Sequence, residues 1–467
     1  MPMKDPGSVE GIGGAARSAD PYEQTQLGQI DRRFLNNGIA RVVLLVLLGA
    51  ALIAPSVQFV HKIQETHASE FRESKQRQRS ALGRWLGDIN SMQNPRQDDP
   101  YKRSWLPTTP VVYMLLIPLS HLKYSSAGAI WAILQGVGFV LSLALLIREF
   151  GRQGRSIPTG VLAMAGLFAV FPIIASIQHG NVNLFMMVWI ALAWAMYMRK
   201  SDYLAGLFVS LAIVTKLTPA LLLVYFLYKG AWKVCLGTAI GLAIFVLLVP
   251  ALYFGFGHNI ELLRSWFDML VAPYALHGYV SEGIVNQSLY GVLIRMLHNT
   301  GLLSAERMPL EQAIAAGMDD MVRPISVIGG LLRPVISLGF LAALAWLCRT
   351  KASSRRDPRL LLEFGLVLLA MLLMSERTWK HHATTLPIVY LGVWFVLTCR
   401  PWSDYFRFWC VFGLVAQAIL LLLTFGGGVI GDRRSEAALA GGVFCWCLLV
   451  CFIQTAIMLR ASPRETA

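Results

Sequence analysis

The chain has little charge. Of its 467 residues only 15% are Asp, Glu, Lys or Arg, and 55% are hydrophobic. A soluble globule carries roughly 25% charged residues, so this shortage excludes a water-soluble domain as the main body. Its seven cysteines (235, 348, 399, 410, 445, 447 and 451) all lie in or beside apolar runs. With no pair in the polar loops, the sequence holds neither a disulfide framework nor a metal-ligand spacing. Walker, HExxH and CxxC patterns are also missing, and no cofactor is implied. No metal is expected either, because the carboxylates are not spaced as a ligand set.

What the chain has instead is apolar runs of about 16–23 residues between short polar loops, the pattern of transmembrane helices. Spans are expected at roughly 38–60, 125–147, 158–177, 182–198, 203–215, 217–229, 232–254, 325–348, 359–374, 384–399, 406–425 and 437–459. The fold class is therefore an all-α polytopic membrane protein with about twelve spans.

The net charge of +14 belongs to topology rather than nucleic acid. It gathers at the ends and in short loops: Arg148, Arg152 and Arg155; Arg199 and Lys200; Lys229 and Lys233; 349–359; Arg400. The positive-inside rule places these loops in the cytoplasm, along with both termini. Residues 1–35 read as a loose cytoplasmic tail, 36–460 as the membrane domain and 461–467 as a second tail. Arg32, Arg33 and Arg41 beside the first span favour a retained anchor over a cleaved signal peptide. Two long segments, 61–108 and 255–324, then face outward. The run at 109–122 is too short for a comfortable span and reads as a re-entrant or interfacial helix.

Polar residues cluster at that outer face. Lys216 interrupts "GLFVSLAIVTKLTPALLLVYF", and an ionisable group at membrane depth is a functional candidate by default. Thr218-Pro219 then opens a new helix, whose N-terminus favours anions; the bland alternative is a Lys snorkelling to the interface. "QHGNVN" (178–183) supplies His179, Asn181 and Asn183 at a tight turn, suited either to a hydroxyl-rich ligand or merely to helix ends. "SERTWKHH" (375–382) places Arg377, Trp379, Lys380, His381 and His382 between two apolar runs. Glu376 in the same stretch is either a partner for one of those cations or a rival base. In the first outer loop Glu70, Asp98 and Asp99 stand among other acids, and "EFRESKQRQRSALGRW" (70–85) reads as a surface helix. "EGIVNQSLYGVLIRML" (282–297) reads as an amphipathic helix capped near Asn286 and carrying Arg295.

In this order, Gly180-Asn181-Val182-Asn183, "AGLFVSLAIVTKLTP", "NQSLYGVLIR", and Ser375, Trp379, His381 and His382 resemble glycosyltransferase family 87, within the GT-C superfamily. The likeness covers about residues 40–400, including the "LPTTPVVYMLLIPL" return to the membrane. It implies a GT-C-type bundle whose long first outer loop carries short juxtamembrane helices. It also implies sugar transfer, mannosyl or another hexosyl, from a polyprenyl-phosphate donor to an acceptor glycan or glycolipid. The reaction would invert the anomeric carbon, at the outer face of the cytoplasmic membrane. Lys216, Arg377, His381 and His382 would then hold the donor phosphate, and His179, Asn181, Asn183, Trp379 and Asn286 the sugar or acceptor. Family members carry an Asp early in the first outer loop; here Glu70-Phe71 is the local match, followed as candidate bases by Asp98 or Asp99. A transporter or flippase of polyprenyl-linked sugars is the alternative. No internal repeat supports it, and the polar residues gather at one face.

Overall fold

The computed structural model describes residues 38–68, 80–103, 106–152, 157–276, 279–302, 322–324, 327–350, 354–355, 357–399, 402–425 and 431–462. The tail 1–35, the acid Glu70 and most of 303–326 fall outside them.

Helices dominate. In chain order they are α1 (Gly38–Ala68), α2 (Ala81–Asn90), α3 (Pro100–Arg103), α4 (Pro110–Ser120), α5 (Tyr124–Arg152), α6 (Thr159–His179), α7 (Asn183–Met198), α8 (Asp202–Thr215) and α9 (Ala220–Tyr228). There follow α10 (Trp232–Leu242), a π-helical turn (Ala243–Leu248), α11 (Val249–Phe254), α12 (Phe256–Trp266), a second π turn (Phe267–Val271), α13 (Ala272–Ala275) and α14 (Leu289–Asn299). The chain ends with α15 (Val327–Leu347), α16 (Arg359–Leu373), a 3₁₀ turn (Lys380–His382), α17 (Leu386–Cys399), α18 (Asp404–Phe425), α19 (Asp432–Ala440) and α20 (Val443–Ala461). Strands β1 (Tyr279–Ser281) and β2 (Val322–Pro324) pair antiparallel, Val280 opposite Arg323.

Among the described residues, seven stretches are long and apolar enough to cross a membrane, so the chain is an integral membrane protein: Val46–Gln64, Tyr124–Glu149, Thr159–His179, Trp232–Phe254, Gly330–Leu347, Asp404–Phe425 and Val443–Ala461. The other apolar helices are shorter, and the reason lies in their packing. All fifteen residues of α16 are buried, against α17, α20 and α9. A helix apolar all round belongs inside a bundle and need not match the thickness of the lipid. The eleven residues of α4 rise about 17 Å, well short of the roughly 30 Å hydrocarbon core.

The first long connection is folded onto the bundle. Ser80 caps α2 by accepting a hydrogen bond from the Gly83 N–H (3.1 Å). The apolar face of α2, with Leu82, Trp85, Leu86 and Ile89, is buried with Phe59 and Ile63 of α1. Of the expected surface helix at 70–85, residues 70–79 lie outside the described residues; the described helix, Ala81–Asn90, buries one side.

Close approaches fix the centre. A Cβ on Gly206 of α8 would lie 2.1 Å from the Val234 carbonyl, and one on Gly237 of α10 would lie 2.4 Å from that of Tyr203. Small residues of this kind let membrane helices touch backbone to backbone. A π turn frees helix carbonyls, and the fully buried Asn259 repairs them by donating to Val246 (3.0 Å) and Leu247 (3.4 Å). That bond anchors α12, and through it Trp266, against the bundle.

At one end of the bundle three of the basic residues are paired. Arg199 meets Glu149, Arg355 meets Asp202 (2.9 Å) and Lys229 meets Glu363 (2.9 Å), whose carboxylate also accepts from the Tyr225 hydroxyl (2.9 Å).

Gly206→Val should force α8 and α10 apart and cost about 3 kcal/mol. Gly136→Val is the control, since nothing lies within 4 Å of a Cβ there. Thermal unfolding in detergent checks this: the first variant should melt well below the second, and equal melting temperatures would contradict the packing.

Candidate functional site

At the other end of the bundle, helix ends that are far apart in sequence converge. Helix α6 stops at Gly180, whose φ of 61° is left-handed and whose Cβ would fall 2.4 Å from the Phe59 ring. Only glycine fits there without strain. The Gly180 carbonyl accepts from the Trp131 indole (3.0 Å), and the chain re-enters the bundle as α7 at Asn183. Lys216 ends α8 in an extended conformation (φ −157°, ψ 135°) and is the hinge between α8 and α9. The "SERTWKHH" stretch links α16 to α17.

These segments surround a cavity of about 400 Å³. Lys216, Arg333, Arg377 and Glu376 stand on its wall, with Asn181, Asn183 and His382. Leu217, Trp266, Leu270, Met371 and Met374 give it an apolar side. Among the described residues, three basic side chains against one carboxylate suit an anion, and the apolar side suits an anion carried on a hydrocarbon.

Asn183 organises the polar side. It is 1% exposed. Its Oδ1 accepts from Lys216 Nζ (3.2 Å), its Nδ2 donates to the His381 carbonyl (2.9 Å), and its own carbonyl accepts from Thr384 Oγ1 (2.9 Å). The amide is therefore committed to protein partners and ties the hinge to the histidine turn. Among the described residues Lys216 has no carboxylate partner. An ammonium carries three donors, and the bond to Asn183 uses one of them. Burial lowers the Lys216 pKa to about 7.

The histidines pack ring against ring, tilted or edge-on. His179 and His381 centroids lie 4.4 Å apart, and Asn181 Nδ2 sits 3.3 Å from His381 Nε2. Trp379 lies parallel to His382 at 5.8 Å, behind it rather than on the cavity wall. Burial first, then the neighbouring His382 and His179, pushes His381 well below the usual imidazole range. Burial and Lys216 do the same to His382. Near neutral pH both rings are dipoles rather than cations.

Of the residues singled out from the sequence, Lys216, Arg377, His382, Asn181 and Asn183 meet at the cavity, with His179, His381 and Trp379 just behind. Asn286 does not reach it. Fully buried, it donates to the Ser281 and Glu376 carbonyls (2.8 and 3.0 Å) and accepts from the Ser288 and Thr378 N–H groups (3.1 and 3.0 Å). It thus clasps the 375–378 loop to the start of α14. Arg295 likewise donates to backbone carbonyls, among them Ala440 (3.1 Å) and Gly283 (3.0 Å). Asp98 and Asp99 are engaged locally: Asp98 accepts from the Asn94 N–H (3.0 Å) and Asp99 from that of Tyr101 (2.9 Å). Neither lines the cavity, and Glu70 lies outside the described residues.

Sequence reading passed over Arg333 and Tyr274. Arg333 donates to the Tyr274 carbonyl and to the Glu376 carboxylate. Arg377 donates to the Tyr274 hydroxyl and lies 4.9 Å from the centre of its ring. The signal for Arg333 was present in "GGLLRPVISLGF": a lone cation in an apolar span, as with Lys216.

Fold and site together define a polytopic helical membrane protein with an anion-accepting, apolar-sided cavity at one end, an arrangement that suits a membrane-embedded transferase. The family model of glycosyltransferase family 87 matches residues 108–376, more than half of the chain, and the chain belongs to that family. No curated protein and no solved structure matches it.

The Lys216 ammonium sets a pH dependence. With its pKa lowered to about 7, the charged form prevails below that pH and is lost above it. Sulfate, whose own charge is fixed in this range, should bind the purified protein progressively more weakly as pH rises through about 7. Lys216→Arg should flatten the profile. Wild-type affinity unchanged between about pH 6 and 8 would contradict the assignment.

Proposed function

We propose that this glycosyltransferase moves a hexose, of the mannosyl type, from a polyprenyl-phosphate carrier to an acceptor glycan or glycolipid, inverting the anomeric centre. The observation that carries the reading is Lys216. It is a half-buried ammonium held by one amide oxygen, on a cavity with cations on one side and apolar residues on the other. A lipid phosphate needs both sides: charge for the headgroup and Leu217, Trp266, Leu270 and Met374 for the first isoprene units. As the glycosidic bond breaks, the leaving phosphate gains negative charge, and preorganised cations act best on charge that develops in the transition state. Lys216 and Arg377 serve that role, with the neutral His381 and His382 as hydrogen-bonding partners. Asn181 borders the space left for sugar with His179 just behind, and Trp379 backs the histidine that faces it.

Inversion requires a carboxylate to take the acceptor proton. Glu70 is the first choice, because the resemblance in the first long loop falls on it. Asp98 and Asp99 follow, each with a local hydrogen bond to give up. The domain runs over 36–460, and its shorter helices bring the crossings to about twelve, with both ends in the cytoplasm. The cavity then opens on the outer face of the cytoplasmic membrane. Membership of a transferase family does not favour the transporter alternative.

Membranes carrying the protein, given radiolabelled polyprenyl-phosphate-mannose and, separately, the glucose and arabinose forms, should place label in a new glycan. Lys216→Ala should lower transfer about a hundredfold, the worth of a charge-assisted contact to phosphate. Lys216→Arg should retain part of it. Transfer at the wild-type rate in Lys216→Ala would overturn the assignment, and so would the absence of label from all three donors in the wild type.

A further inference from the structure

Arg333 stands on the cavity wall, but the donor reading above assigns it no contact of its own. It enters from the first turns of α15, beside Pro334 in an otherwise apolar stretch, and it lines the same cavity as Lys216 and Arg377. Its guanidinium is held twice, by the Tyr274 carbonyl and by the Glu376 carboxylate. Tyr274 joins the two arginines, since its hydroxyl accepts from Arg377. A guanidinium has five donors in a rigid fork; these two partners leave others for a ligand. We propose that Arg333 is a further phosphate-binding residue for the lipid-linked donor, and that Glu376 is a positioning residue acting through Arg333, not the base of the reaction. The proposal rests on the donor reading above.

Two arguments separate these roles. Glu376 is the carboxylate on the cavity wall among the described residues, so it is the obvious rival to Glu70 as base. A base must keep a basic lone pair for the incoming proton. A carboxylate paired with Arg⁺ is stabilised in its charged form and made a weaker base. What the pair does well is hold a long, flexible Arg in one place. The backbone of Glu376 is fixed too, by Asn286 Nδ2 donating to its carbonyl (3.0 Å), so the carboxylate is itself anchored.

A cycle of purified full-length variants tests this: wild type, Arg333→Ala, Glu376→Ala, the double variant, Arg333→Lys and Glu376→Gln. Each is checked by size-exclusion elution and melting, then measured for binding of a short-chain polyprenyl phosphate and for kcat and KM of transfer. Arg333→Ala should weaken probe binding about 10- to 100-fold. Glu376→Ala should weaken it less, and the double variant should match Arg333→Ala alone, because Glu376 has nothing left to position. Glu376→Gln can still accept from Arg333, so it should keep most of its turnover. If Arg333→Ala does not stay folded, Arg333→Lys carries the test: it keeps the charge but loses the fork, so weakened binding is expected and wild-type binding overturns the proposal.

Two further results would overturn it. One is a collapse of kcat in Glu376→Gln with probe binding intact, which would make Glu376 the base. The other is wild-type probe affinity in Arg333→Ala. A wild-type protein that binds no probe would instead remove the donor reading itself, and the two failures are thereby distinguishable.

Discussion

One hydrogen bond, from the Lys216 ammonium to the Asn183 side-chain oxygen (3.2 Å), holds together the end of the molecule where chemistry is placed. A cation at the ends of apolar helices is costly unless something meets it. A carboxylate would meet it fully and leave nothing for a ligand. An amide oxygen orients it without cancelling its charge. The same amide reaches the His381 carbonyl (2.9 Å), so the position of the ammonium and that of the histidine turn are set by one residue at the start of α7.

The two ends of the bundle show how much that choice of partner matters. Around Arg199, Arg355 and Lys229 the cations face Glu149, Asp202 and Glu363 and are neutralised. Such pairs fix helix ends, whatever their net worth to stability. Around the cavity, among the described residues, the cations Lys216, Arg333 and Arg377 stand with one carboxylate, Glu376, which pairs with Arg333. The helices are common to both ends. The difference in partners separates a clasp from the proposed binding site.

Much of this was legible in the sequence. The long apolar runs gave helices whose observed limits fall within a few residues of expectation, as with Thr159–His179 and Trp232–Phe254, because lipid imposes both length and composition. Which helices meet lipid was not legible: α16 reads like a span, yet is buried on all sides. Lys216 announced itself as a lone charge in an apolar run. Arg333 carries the same signal more faintly, since it lies near the start of its span, where a charge reads as an interfacial anchor. Asn286 shows the opposite limit. The resemblance implied a ligand contact, and only its neighbours in space reveal that its hydrogen bonds close a loop. Asp98 and Asp99 were similarly ambiguous, since an acid in a turn and an acid awaiting a proton look alike along the chain.

The central claim is that Lys216 holds the phosphate of a lipid-linked sugar. An experimental structure of the wild-type protein with a non-transferable polyprenyl-phosphate-sugar analogue tests it most directly. The phosphate should lie within about 3 Å of Lys216 Nζ, with the prenyl chain along Leu217 and Trp266. A phosphate bound elsewhere, with Lys216 contacting only Asn183, would contradict it.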